Sequence, residues 1–133
     1  MSQENVELVR AAYEAFERGD FDGMVADFAP TFEYVPTGMI PGVAGTYRGP
    51  EGLREFLRWM WEEFDGPRIE MHELTAAGDQ VLTSVTLRGR GKQSGVDASW
   101  DVWHLWTIQD GKVLHGQAFN GRNDALEAAE LPE

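Results

Sequence analysis

The sequence predicts an α+β fold, with N-terminal helices on one face of a curved, largely antiparallel (mixed) sheet. Three observations predict it. Apolar residues recur at spacings of three and four in the first half, at Val6, Val9, Tyr13 and Phe16, and again at Leu53, Phe56, Leu57, Met60 and Phe64. The second half alternates between apolar and polar residues, broken by the turn signals "AAGD" and "QDGK". The two patterns are segregated along the chain, which points to α+β and away from repeated βαβ units.

The first helix starts near Ser2, a suitable N-cap, with Glu4 favourable in the first turn. Gly19 closes it, because glycine takes the left-handed conformation of a helix end at no steric cost. Asp20 caps a short second helix carrying Met24, Val25 and Phe28, and Pro30 ends that helix. "TFEYV", Thr31 to Val35, alternates as a strand, and "TGMIPGVAGTYRG" is a loop rich in glycine and proline. "PEGLREFLRWMWEEF" is the strongest helical pattern; Pro50 fits its first turn, where the missing N–H costs little. Trp61 flanks its apolar stripe and Trp59 falls off it. Strands follow at Arg68 to Thr75, Gln80 to Arg88, Val96 to Ile108 and Val113 to Phe119. "RNDALEAAE" closes the chain with a short helix. No repeat or linker interrupts residues 1–133, which read as one domain.

Composition narrows the function classes. The 133 residues carry a formal net charge of −12. That charge repels phosphate backbones and anionic membrane surfaces, so neither nucleic acid nor membrane is an expected partner. The N-terminus lacks a basic region followed by an apolar stretch, and a cytoplasmic location is expected. With no cysteine, disulfides and thiolate chemistry are excluded. No two of the three histidines stand at metal-ligand spacing, and no phosphate loop or dinucleotide fingerprint occurs, so no metal or cofactor is expected. His72 and His115 read as surface or structural groups.

Four stretches, "AAYEAFERGDFDGMV", "TYRGPEGLREF", "VWHLWTIQDGKV" and "DALEAAEL", occur in an order and at spacings similar to those of the SnoaL-like branch of the nuclear transport factor 2-like superfamily. That group includes ketosteroid isomerases, limonene epoxide hydrolases and polyketide cyclases. The resemblance implies a cone: a bent sheet wrapped around helices, with a deep apolar cavity at its open end. It does not carry a known mechanism across. The isomerases' general-base aspartate corresponds to a position near Pro36, their helix tyrosine to Ala12 beside Tyr13, and the hydrolases' last-strand aspartate to Ala118. The isomerases' second oxyanion donor corresponds to His104, where the SnoaL-like branch commonly has histidine.

"SWDVWHLWTIQ" holds three of the five tryptophans around His104. Alternation puts Val96, Ala98, Trp100, Val102, His104, Trp106 and Ile108 on one face, toward the helices and the implied cavity. Asp97, Ser99, Asp101, Trp103 and Leu105 fall on the other. A hairpin with a bulge at Gly111 pairs Trp106 with Leu114, His104 with Gly116, Val102 with Ala118 and Trp100 with Asn120. His104 is therefore the candidate catalytic residue. The candidate binding residues are Tyr13, Phe16, Tyr34, Met60, Trp100, Val102, Trp106, Leu114, Ala118 and Asn120. Three functions are compatible with this pattern. One is an isomerase, cyclase or hydrolase using proton transfer on a small apolar molecule; another is a binder of such a molecule without chemistry. The third is a partner-binding module. A homodimer through the outer sheet face is expected, with Trp103, Leu105 and Trp59 as exposed rings and side chains.

Overall fold

The structure is a computed structural model that describes residues 2–36 and 45–129. Helix α1 (Ser2–Glu17) is followed by α2 (Phe21–Met24), strand β1 (Phe28–Val35), a two-residue β2 (Tyr47–Arg48) and α3 (Gly49–Glu63). Four strands then run β3 (Phe64–Ala77), β4 (Gln80–Gly91), β5 (Asp97–Gln109) and β6 (Lys112–Phe119), before α4 (Arg122–Ala128). The six strands form one mixed sheet in the order β2-β1-β6-β5-β4-β3. Strands β3 to β6 are antiparallel neighbours, whereas β1 inserts beside β6 and runs parallel to it. Residues 37–44 of the expected glycine- and proline-rich loop lie outside the described residues.

Local chemistry sets the helix ends as expected. Gly19 has φ +72°, and its N–H and that of Asp20 bond back to Phe16 and Ala15. The Asp20 carboxylate accepts from the Gly23 N–H and caps α2. Pro50 sits in the first turn of α3, and Leu53, Phe56, Leu57 and Met60 form its buried stripe.

Several boundaries differ from the sequence reading; the third helix ends at Glu63, and Phe64, expected on its apolar stripe, begins β3, which with β4 runs longer than expected. The second helix stops at Met24, and β1 begins at Phe28 and runs through Pro30. Proline is tolerated there because the β1–β6 ladder is interrupted between Phe28 and Glu33, so its missing N–H breaks no bond. The fourth helix also lies on the face opposite α1 and α3. It buries Ala125, Leu126 and Ala129 against Leu82, Leu105 and Phe119, a second apolar cluster separate from the main core.

The three side chains expected to be exposed for a homodimer, Trp103, Leu105 and Trp59, each pack within the chain. Leu105 is buried, and Trp103 packs against the same cluster with the Arg122 guanidinium 5.7 Å from its ring centroid. Trp59 packs between Phe56 and Phe64. Among the described residues Val96 alone is a large apolar side chain exposed to solvent. Among the described residues no helix is long and apolar enough to cross a membrane.

Candidate functional site

The alternation of β5 places its side chains as its sequence requires. Val102, His104, Trp106 and Ile108 are buried against the helices, and Asp97, Ser99 and Asp101 point outward. The hairpin register differs from expectation. Asp110 and Gly111 both have positive φ, giving a tight two-residue turn that pairs Gln109 with Lys112. A shift at Leu114 then adds one residue, so that Thr107 meets His115, Trp106 meets Gly116 and His104 meets Ala118. The faces survive because the bulge restores the parity that a plain two-residue turn would reverse.

Gly116 explains why the bulge sits there. It pairs with Trp106 on one side and with Tyr34 of β1 on the other. Its missing side chain lets those two rings meet over the strand between them, 6.0 Å apart and nearly parallel. A Cβ at Gly116 would lie 2.6 Å from Cε3 of Trp106, and closer still to Cζ3.

His104 lies beneath these rings, 4% exposed, and both of its nitrogens are bonded. Nδ1 is 2.8 Å from the Tyr13 hydroxyl and Nε2 is 3.0 Å from the Tyr34 hydroxyl. Helix α1, strand β1 and strand β5 each supply one member, and β4 adds a fourth. Thr83 Oγ1 is 2.7 Å from the Tyr13 oxygen, which also accepts the Trp106 indole N–H at 2.9 Å. Burial holds the His104 pKa down at about 3, so the ring is neutral at pH 7. Burial raises the Tyr13 pKa, offset in part by the bonds from Thr83 and Trp106. Burial, and then the neighbouring Tyr13 and Tyr47, raise that of Tyr34 well above the ordinary phenol value. The cluster is therefore uncharged over the whole neutral range.

Above it lies an apolar pocket walled by Phe16, Met24, Leu53, Phe56, Leu57 and Met60, with Ile69 and Leu87 at the sheet side and Tyr13, Tyr34, His104 and Trp106 as its polar members among the described residues. The implied deep cavity is present only as a small one. The free space is about 30 Å³, room for about one water. Of the candidate binding residues, Tyr13, Phe16, Tyr34, Met60 and Trp106 meet here with His104. The others do not. Val102 and Ala118 are buried in the sheet outside the lining, Leu114 is half-buried beside the bulge, and Asn120 is exposed. Trp100 packs edge-on against Phe64 in a separate cleft with Met60 and Leu87.

Thr83 is the site residue that sequence reasoning missed. Its signal is visible in retrospect: in "VLTSVTL" the inward row reads Val81, Thr83, Val85, Leu87, one hydroxyl among aliphatic groups. His72 is exposed and bonds to Thr86, and His115 is half-buried; neither approaches the pocket. Among the described residues no three His, Asp or Glu side chains gather as a metal site would require.

Comparisons with known proteins agree with this architecture. The sequence matches the profile of the SnoaL-like domain over residues 9–116. An NTF2-like protein of Burkholderia thailandensis superposes with a TM-score of 0.79 at 30% identity, over 96% of this chain and 98% of that one. TerC, crystallised with polyporic acid, superposes with a TM-score of 0.77 at 30% identity and the same coverage. A protein described as a SnoaL-like polyketide cyclase, from Jannaschia, superposes with a TM-score of 0.78 over 99% of this chain and 95% of that one; at 20% identity it shares the fold alone. No curated protein sequence matches significantly. A profile match over most of the chain, with the mixed sheet described above, assigns the protein to its family: it belongs to the SnoaL-like domain family and has the NTF2-like fold.

Proposed function

We propose that the protein binds a small, uncharged, largely apolar molecule in the pocket above His104 and exchanges a proton with one of its oxygens. The observation that carries this reading is the buried, neutral His104 bonded at both nitrogens to tyrosine hydroxyls beneath an otherwise apolar wall. As Tyr34 gives its proton to the ligand oxygen, His104 can replace it from Nε2 while Nδ1 takes the Tyr13 proton, so the ring stays neutral and the negative charge rests on the Tyr13 oxygen between Trp106 and Thr83. The apolar lining supplies affinity, and no lining residue is charged, so ionic ligands would lose their hydration without compensation.

The ligand cannot enter without movement of the wall. Pockets for drug-sized molecules hold roughly 300–1,000 Å³, far above the space present. Met24 and Met60 face the pocket, and unbranched thioether chains repack at low cost. The co-crystallisation of TerC with polyporic acid supports an apolar, oxygen-bearing ligand class for this chain.

A second reading, binding without chemistry, is favoured by one observation: the lining contains no carboxylate to act as a strong base. Calorimetric titration with 1-indanone, a neutral ketone, tests both. Saturable binding that weakens in a Tyr34→Phe variant supports the proposal, and absence of binding refutes it. Recovery of the bound ketone unchanged, with its C–H hydrogens beside the carbonyl exchanging for deuterium no faster than without the protein, would leave binding alone.

A further inference from the structure

We infer that α2 is the door of the pocket: it lifts off α3 as a unit, carries Met24 out of the pocket wall and opens a way in between the two helices. The movement stands on the packing alone. That a ligand uses the opening rests on the function proposed above.

Two buried donors mark the seam. Arg54 Nε and Trp61 Nε1 are shielded from solvent, and neither has a hydrogen-bond partner among the described residues. They stand seven residues apart on α3, which puts them on one face, two turns from each other. Both side chains meet α2 or the glycine before it. Arg54 reaches the Asp22 carboxylate at 2.9 Å. The Trp61 ring packs edge-on against Phe21, with 6.2 Å between centroids, and lies 3.6 Å from where a Cβ on Gly19 would sit. With α2 in place both donors stay unmet. Water reaching them on opening recovers about ten-fold in the opening equilibrium for each.

The helix is built to move in one piece. Its bonds are internal: Met24 N–H to Asp20 O, Val25 N–H to Phe21 O, and Gly23 N–H to the Asp20 carboxylate. Among the described residues no backbone bond joins Phe21–Met24 to another helix or strand. Gly19, with φ +72°, forms the pivot before it, and Ala26 and Asp27 form the turn after it. Apolar contacts of Phe21 and Met24 and the Asp22–Arg54 ion pair hold it down. That pair stands largely in water, with the Asp22 side chain 86% exposed, and such pairs hold weakly. Helix α3 is anchored differently, by the four buried residues of its stripe.

Met24 connects this movement to the pocket. Its side chain lines the space above His104 and also a smaller apolar space against Leu8, Val9 and Phe28. Lifting it joins the two and opens both toward solvent.

The chain has no cysteine, so one introduced thiol reports access without background. Met24→Cys and Met60→Cys each put a thiol in the pocket wall, on α2 and α3 respectively. Under native conditions a disulfide reagent such as dithiobisnitrobenzoate is expected to react about ten-fold faster with Met24→Cys, the equivalent of one recovered donor. Adding Asp22→Asn, which releases the ion pair, should speed that reaction about three-fold and leave Met60→Cys unchanged. Equal rates at the two thiols, no effect of Asp22→Asn, or reaction of Met24→Cys only as fast as the whole chain unfolds overturns the door. The unsubstituted chain gives a second reading. By NMR the Trp61 indole N–H should exchange with deuterium faster than that of Trp106, which is bonded to Tyr13; slower or equal exchange also overturns the inference. Asp22→Asn should speed 1-indanone association by the same factor as the thiol reaction, and an unchanged association rate overturns α2 as the way in. If the thiols behave as expected and 1-indanone does not bind, the door stands and the proposed function falls.

Discussion

Replacing Gly116 by alanine tests the packing that assembles the site. The added Cβ would lie 2.6 Å from Cε3 of Trp106, whereas carbon atoms rest at about 3.5–4.0 Å. The ring must therefore retreat by about 1 Å. Gly116 is central in the sheet, held by Tyr34 and Trp106 strands on either side, so the backbone has little room to yield in its place. A shift of that size lengthens the 2.9 Å bond from the Trp106 indole to Tyr13 beyond hydrogen-bond reach. Overpacking costs about 1–3 kcal/mol, and an unmet buried N–H about 1–3 more. Alanine returns up to about 1 kcal/mol through its lower backbone entropy. The expected net loss is about 1–6 kcal/mol, read from urea unfolding at constant slope. The clash also predicts coupling: in a Trp106→Leu background the same Gly116→Ala change should cost less than about 1 kcal/mol. A loss under about 0.5 kcal/mol in the wild type, or strict additivity in the double variant, would refute the stacked arrangement of Tyr34, Gly116 and Trp106.

Stability should fall as pH drops below the ordinary histidine value, because the unfolded chain binds a proton at His104 that the folded chain, with a pKa of about 3, refuses. The His104 contribution is about 2 kcal/mol between pH 7 and pH 5, and a His104→Gln variant measured by urea unfolding at both pH values should lack that part of the slope. Tyr13→Phe strips partners from Thr83, His104 and Trp106 together and should cost about 3 kcal/mol; thermal unfolding unchanged within a degree would contradict the cluster's geometry. Gly19→Ala meets no clash, with Trp61 3.6 Å away, so its cost should be the left-handed backbone alone, about 1 kcal/mol, and Gly19→Asn should recover part of it.

How much of this was legible before the structure depends on the range of the signal. The inward face of β5 follows from a period of two and needs nothing beyond the segment itself. Its register against β6 does not, because the bulge at Leu114 is fixed by Gly116 slipping under Trp106, and that contact exists only once β1 lies on the far side. Tyr13 and Tyr34 could be named as candidates, but both lie at least 70 residues from His104 in sequence. Their meeting requires β1 to insert parallel to β6, a long-range pairing that no local pattern encodes. Trp100 was assigned to the site because it shares a face with His104. The sheet carries it about two turns of the pleat away, to Phe64, where the same parity serves a different cleft.

The small free space and the self-satisfied polar cluster belong to one design. A cavity lined by unmet hydroxyls would hold water, and a ligand would have to displace it at a cost in lost hydrogen bonds. Here the strands hold Thr83, Tyr34, His104 and Trp106, with Tyr13 from α1, in a network whose bonds are made without water. Helix α3 closes over it with Leu53, Phe56, Leu57 and Met60. The two halves can therefore respond separately. In the proposed function an incoming molecule would displace apolar contacts of α3, which its own apolar surface would replace, while the network keeps its geometry. Recognition of the molecule's oxygen would then rest with the rigid β-strands and accommodation of its body with the adaptable helix α3.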